Sequence, residues 1–233
     1  MIEVVFLDAG ETILHPHPSF PELFSQVASD SGYSIDVEES RAVQQALAPH
    51  LVDLAEDTGV ANPSLSAESS EKFWSFIYRR LLREFDIHDD DLVSRLYATF
   101  SNVASYRLFD DALPALRALA ADGYRLGLIS NFEEWLHEML VELEVVDVFD
   151  CRIISGLEGV EKPDPKIFEL ALERAGVEPG HAVHVGDSPA MDAEPARAAG
   201  MHALLLDRFD RYPDSEVPRI GSLAELPGVV SQL

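Results

Sequence analysis

Residues 2–7 (IEVVFL) are nearly all apolar and rich in β-branched side chains. A run this short, with no alternation, predicts a strand covered on both faces, as in a parallel sheet. Similar runs recur at Arg125–Ile129 (RLGLI), Arg152–Ile154, Ala182–Val185 (AVHV) and Ala203–Leu206 (ALLL). Between them the apolar positions shift to a helical period over Asp111–Ala121, Glu133–Leu143, Pro165–Ala175 and Pro189–Ala199. Strands alternating with helices imply βαβ units and an α/β fold. Gly123, Gly176 and Gly200 each follow a helical stretch and read as C-terminal caps.

Residues 15–105 break this rhythm. Helical patterns fall at Glu22–Ser31, Val37–Ala48, Ser70–Phe85 and Asp90–Phe100, with no strand among them. Gly32, Pro49 and Gly59–Ser66 separate them. The third pattern places Phe73, Phe76, Ile77, Leu81 and Leu82 on one side. The expected organisation is therefore a Rossmann-like parallel sheet with helices on both faces, built from 1–14 and 106–233. An all-helical domain, 15–105, is inserted after the first strand. Residues Asp207–Arg219 read as an irregular loop, and Ser222–Leu226 as a last helix.

Composition changes the picture mainly through charge. Among 233 residues, 17 Lys+Arg face 42 Asp+Glu, a net −25. The excess is spread along the chain, and an apolar fraction of 47% marks a folded protein. Nucleic acid is excluded as the main partner, because counterion release needs a basic face. Anionic membrane surfaces are disfavoured too, and no run is apolar enough to span a bilayer. The first residues carry no signal-peptide pattern. Cys151 is the lone cysteine, which rules out an intrachain disulfide or a multi-cysteine zinc site. A free thiol suits a reducing, cytoplasmic compartment. Composition says nothing of oligomeric state.

Ligands of open parallel sheets bind outside the carboxyl ends of the strands. Asp8 ends the first predicted strand, and Ser130-Asn131 ends the second. Lys162, one of only three lysines, follows the third. Asp187 ends the fourth, with Asp192 shortly after. Carboxylates gathered this closely need a cation to stay ionised, and hard oxygen ligands favour Mg²⁺.

The segments DAGET (Asp8–Thr12), ISN (Ile129–Asn131), KPDPKIF (Lys162–Phe168) and HVGDSPAMD (His184–Asp192) match in order and spacing the four motifs of a known family. The sequence resembles the haloacid dehalogenase-like (HAD) hydrolases as far as about Asp207. YRLFDDALPALRAL (Tyr106–Leu119) and SNFEEWL (Ser130–Leu136) resemble the REG-2-like or HDHD3-like branch, and the helical insertion resembles that family's C1-type cap. The resemblance implies a phosphatase with Asp8 as nucleophile, forming an aspartyl-phosphate. It implies Mg²⁺ held by Asp8, the carbonyl of Gly10, Asp187 and, through water, Asp192. Ser130 and Lys162 would meet the phosphoryl group, with Asn131 as a further donor and Thr12 bracing the loop. The substrate would be a small phosphorylated metabolite.

One position departs from the family pattern. The aspartate that usually stands two residues after the nucleophile, as general acid, is here Gly10. General acid catalysis is worth roughly 10²–10⁴-fold. Three readings stay open: substrates with good leaving groups, substitution by Glu11, or a weakened protein that only binds. A metal-free 2-haloacid dehalogenase is a further alternative, disfavoured by Asp187 and Asp192. His184 reads as a packed core residue, as do Phe168 and Met191. Arg79, Arg80 and Arg83 read as a solvated face paired with nearby carboxylates.

Overall fold

In the computed structural model, residues 1–47, 50, 54, 58–60 and 62–233 are described. Ala48, Pro49 and Ala61, which fall within the helix and breakers expected there, lie outside the described residues. The chain divides into two compact units, Met1–Leu14 with Leu108–Leu233, and His15–Arg107.

Strand β1 (Val4–Leu7) is buried at all four positions, which is why its sequence shows no alternation. Strands β2 (Leu14–Pro16) and β3 (Tyr106–Leu108) form a two-stranded ladder. That ladder corrects the expectation that 15–105 holds no strand. Strands β4 (Arg125–Ser130), β5 (Cys151–Ile154), β6 (Ala182–Gly186), β7 (His202–Leu206) and β8 (Arg219–Ile220) join β1 in one sheet of order β5-β4-β1-β6-β7-β8. Its neighbouring pairs are parallel. β1 sits in the middle because it is the most completely apolar strand, and its register puts Phe6 beside Gly127 and His184.

The crossover helices lie where the apolar period puts them, at Ala112–Ala121 and Pro165–Ala175. Asp164 accepts a hydrogen bond from the Lys166 N–H and starts the second of these with Pro165 pre-set for the first turn. Gly176 ends it at φ 61, and Gly123 and Gly200 also take positive φ. Phe168, Ile167 and Ala171 are fully buried against Phe6 and Ile153, each large side chain contributing about 1.5–3 kcal/mol.

Five expectations need correction in this unit. The helix expected at Glu133–Leu143 covers only Leu136–Glu142. The stretch 189–199 opens with a π-helical turn, Pro189–Ala193, before an α-helix at Glu194–Ala198, and Met191 on that turn is only half-buried. The loop after Leu206 ends in β8, where the Leu205 N–H reaches the Pro218 carbonyl at 3.0 Å. The last helix is a capped 3₁₀ turn, Leu223–Glu225, running into Leu226–Val230.

The second unit is helical at Phe20–Asp30, Val37–Leu47, Ala67–Arg83 and Asp90–Phe100. Ser19, Ser66 and Asp89 supply the N-caps that the sequence offers. Phe73, Ile77, Leu81 and Leu82 are buried as the period requires, and Phe76 is half-buried. Stacked rings run from Phe24 through Phe20 and Phe100 to Tyr78 and Trp74. Arg79 pairs with Asp90 at 2.8 Å and Arg80 with Glu84.

Candidate active site

The Asp8 N–H donates to the Val185 carbonyl at 2.9 Å, continuing the β1–β6 ladder one residue past the strand. The following loop closes on itself: the N–H groups of Ile13 and Leu14 both reach the Ala9 carbonyl, at 2.9 and 3.0 Å. Thr12 is buried in this turn. Glu11 sits at φ 55, a left-handed backbone that an L-residue adopts at a cost, and Gly10 precedes it.

Ser130 ends β4 beside Ile154 and is buried. Asn131, the next residue, holds the backbone of Lys162 with both ends of its amide. Its Nδ2 donates to the Lys162 carbonyl at 2.8 Å and its Oδ1 accepts from the Lys162 N–H at 2.7 Å. The loop 132–135 is fixed in turn by Ser155, whose Oγ bonds both the N–H and the carbonyl of Phe132. A Cβ at Gly156 would run into the backbone of Glu133 and Glu134, so only glycine lets these segments approach.

So placed, the Lys162 Nζ donates to Asp8 Oδ1 at 2.7 Å and to Asp192 Oδ1 at 2.6 Å. Asp192 reaches this point because the π-helical turn folds it back over Gly186. A Cβ on Gly186 would fall on its carboxyl group. Asp192 Oδ1 also lies 3.0 Å from His184 Nε2, and its Oδ2 accepts from the Ser188 N–H at 3.1 Å. His184 is thus fully buried, with its ring edge-on to Phe168, but it is a member of the charged cluster as well as of the core. Its Nδ1 is buried without a partner.

Asp187 completes the group. One carboxylate oxygen each from Asp8, Asp187 and Asp192 lies within 4.8 Å of the others. Burial pushes the Asp8 carboxyl up, with Lys162 opposing and Asp192 reinforcing. Burial, then Asp192 and Asp8, pushes Asp187 up to about 7. Asp192 goes the other way. Burial would raise it, but Lys162 and His184 together hold it well below the usual carboxylate range. Burial also works against the Lys162 ammonium, and Asp192 and Asp8 more than offset it. A lysine bound to two of three crowded carboxylates leaves a surplus of negative charge and an all-oxygen donor set, which fits a hard divalent cation.

All the sequence-derived candidates, Asp8, Gly10, Ser130, Asn131, Lys162, Asp187 and Asp192, lie at the carboxyl ends of β1, β4, β5 and β6 or in the loops that follow. Direct bonds join Asp8, Lys162, Asp192 and Asn131. Sequence reasoning missed the polar role of His184, the bracing by Ser155 and Gly156, and the whole loop after β7. From that loop Arg211 Nη2 reaches Asp187 Oδ2 at 3.0 Å. Arg208 bonds both oxygens of Asp111 at 2.8 and 3.0 Å and the Thr12 carbonyl at 2.9 Å. A histidine inside an apolar strand, two residues ahead of the motif glycine Gly186, was the one available signal.

Residues 2–200 match the haloacid dehalogenase-like hydrolase family. The human haloacid dehalogenase-like hydrolase domain-containing protein 3 is 31% identical over 97% of this chain and 92% of its own length. A phosphoserine phosphatase of Thermus thermophilus is 36% identical over 55% of this chain and 53% of its own. The crystal structure of a HAD phosphatase from Thermococcus onnurineus, 26% identical, superposes with a TM-score of 0.59 over 99% of this chain and 98% of that one.

Proposed function

The chain belongs to the haloacid dehalogenase-like hydrolases, and from that premise we propose that it is a Mg²⁺-dependent phosphohydrolase acting on a small phosphorylated metabolite. The observation that carries this reading is the Lys162 ammonium bridging Asp8 and Asp192 at 2.7 and 2.6 Å, with Asp187 alongside. Similarity to proteins named as phosphatases supports it.

On this reading the Asp8 carboxylate attacks phosphorus, the bond from phosphorus to the bridging oxygen breaks, and an aspartyl-phosphate forms on Asp8. The leaving group departs with that oxygen, as a carboxylate or enolate or as an alcohol protonated by solvent. Water then cleaves the phosphorus–oxygen bond and restores the carboxylate. Lys162 neutralises charge on the transferring group as a compact cation. Ser130 donates to the phosphoryl oxygens. Asn131 fixes the Lys162 backbone and keeps one amide hydrogen for the substrate. Mg²⁺ would be held by Asp8, the Gly10 carbonyl, Asp187 and, through water, Asp192, whose oxygens already accept three hydrogen bonds. When bound it supplies charge neutralisation to the phosphoryl group. The helical unit, His15–Arg107, would serve as the cap that selects the substrate.

A dehalogenase would have no use for Asp187 beside the nucleophile, and EDTA separates the two activities: it abolishes phosphate release and spares dehalogenation. The deciding experiment is phosphate release from a panel of phosphorylated metabolites, acyl and enol phosphates included, by wild type and Asp8→Asn. We expect the variant to lose at least about 10⁴-fold in kcat. Equal rates would remove Asp8 as nucleophile, and no release by wild type with Mg²⁺ would leave a binding protein.

A further inference from the structure

The loop after β7 carries no recognised motif, yet it is built to hold one side chain. Asp207, almost fully buried at the end of that strand, accepts from the backbone N–H groups of Arg211 at 2.8 Å and Tyr212 at 2.9 Å. Arg219 on β8 donates to the same carboxylate at 2.8 Å. The backbone of Arg211 is therefore pinned from two strands. Its guanidinium lies 5.8 Å from the Phe209 ring centroid and 5.6 Å from that of Tyr212, within cation–π range of both. From this setting Nη2 donates to one oxygen of Asp187, Oδ2, at 3.0 Å.

Asp187 needs such a partner. Asp192 is fixed by Lys162, His184 and Ser188, and Asp8 by Lys162. We infer that Arg211 is a positioning residue for Asp187, fixing its carboxylate for a divalent cation shared with Asp8 and Asp192. The charges agree. Asp8, Asp187 and Asp192 outnumber Lys162 and Arg211, so the cluster keeps a negative surplus that an added cation would offset.

Two physical effects oppose each other here, and this makes the inference decidable. Bare Coulomb repulsion predicts that removing Arg211 tightens cation binding. Loss of orientation predicts weaker binding, typically by 10–100-fold for an outer partner of a ligand. An arginine anchored by its own backbone and two rings is a fixed strut rather than a mobile competitor, so orientation wins.

The inference rests on the divalent-cation reading, and the test separates the two. Mg²⁺ and Ca²⁺ are titrated calorimetrically into EDTA-stripped wild type, Arg211→Gln, Arg211→Lys and Asp207→Asn, with no substrate present. Arg211→Gln is expected to bind Mg²⁺ 10–100-fold more weakly. It should lose less for Ca²⁺, which tolerates loose geometry where Mg²⁺ demands near-ideal octahedral coordination. Arg211→Lys should recover part of the loss, and Asp207→Asn, which frees the loop while keeping the guanidinium, should weaken Mg²⁺ in the same direction. Should Arg211→Gln fail to fold, these two variants carry the comparison. Unchanged or tighter Mg²⁺ binding, or equal losses for both ions, overturns the role of Arg211 alone. A wild type that binds neither ion overturns the cation reading and this inference with it.

Discussion

Asp192 and Asp187 stand at the same sheet edge, five residues apart, and live in opposite conditions. Asp192 is fully enclosed, and a lysine, a histidine and a backbone N–H meet its two oxygens. Asp187 is half-buried, keeps one arginine contact and faces two other carboxylates. Burial raises both, yet one is held charged and the other is pushed up to about 7. The partners, more than the depth, decide the protonation state. Asp192 is committed to Lys162, His184 and the Ser188 N–H, and Asp187 has Arg211 alone to offset its two carboxylate neighbours.

If the open half of the site is where chemistry has room, a proton donor added there should have the largest effect. A Cβ on Gly10 meets no atom within 4 Å, so Gly10→Asp fits. It should raise turnover of alkyl phosphates by about 10²–10⁴-fold while changing acyl phosphates little. No gain in a folded, Mg²⁺-binding variant would end the missing-acid account. Next in size is a stability contrast. Asp192→Asn leaves a buried ammonium short of a partner and should cost about 3–5 kcal/mol in urea unfolding. Asp187→Asn swaps one neutral side chain for another at about pH 4, where Asp187 is protonated, so at that pH it should stay within about 1 kcal/mol of wild type; a loss equal to that of Asp192→Asn would erase the comparison.

The third prediction concerns pH. Asp187 in the folded protein titrates near 7, above its ordinary 3.8. Between those values the folded state holds a proton that the unfolded chain has released. The stabilisation is full below about 4, is lost as pH rises to about 7, and is constant beyond. Measured in EDTA, wild type should therefore lose about 1–4 kcal/mol relative to Asp187→Asn across that window. Parallel curves would mean that Asp187 is ionised throughout. The smallest effect is electrostatic at long range. A net charge of −25 repels a phosphorylated substrate, and salt shortens its reach to about 8 Å at physiological strength. Moderate salt at saturating Mg²⁺ should raise kcat/KM by roughly 2–10-fold, and a monotonic fall would count against it.

Much of this was legible in the chain because hydrophobic burial writes itself into local pattern. β1 and the helix Pro165–Ala175 could be read directly, and Asp8, Lys162, Asp187 and Asp192 stand at the ends of such elements. The parts that escaped depend on approaches between distant backbones. Gly186 gives no hint that Asp192 folds over it, and Asp192 gets there through a π-helical turn that no period announces. Gly156 is one of thirteen glycines until Glu133 and Glu134 are seen beside it. Arg211 sits in a polar stretch, DRFDRYPD, that resembles a loop and is one. Its orientation comes from Asp207 and from a two-residue strand too short to carry a pattern.

The sheet order has a consequence for how the protein is made. β1 is synthesised first but lies between β4 and β6, so its neighbours leave the ribosome more than a hundred residues later. The helical unit, His15–Arg107, is a continuous stretch and can fold while β1 waits. The three carboxylates cannot meet until Asp192 has emerged. A chain stopped just short of it would carry Asp8 and Asp187 without the side chain that shares Lys162 with Asp8.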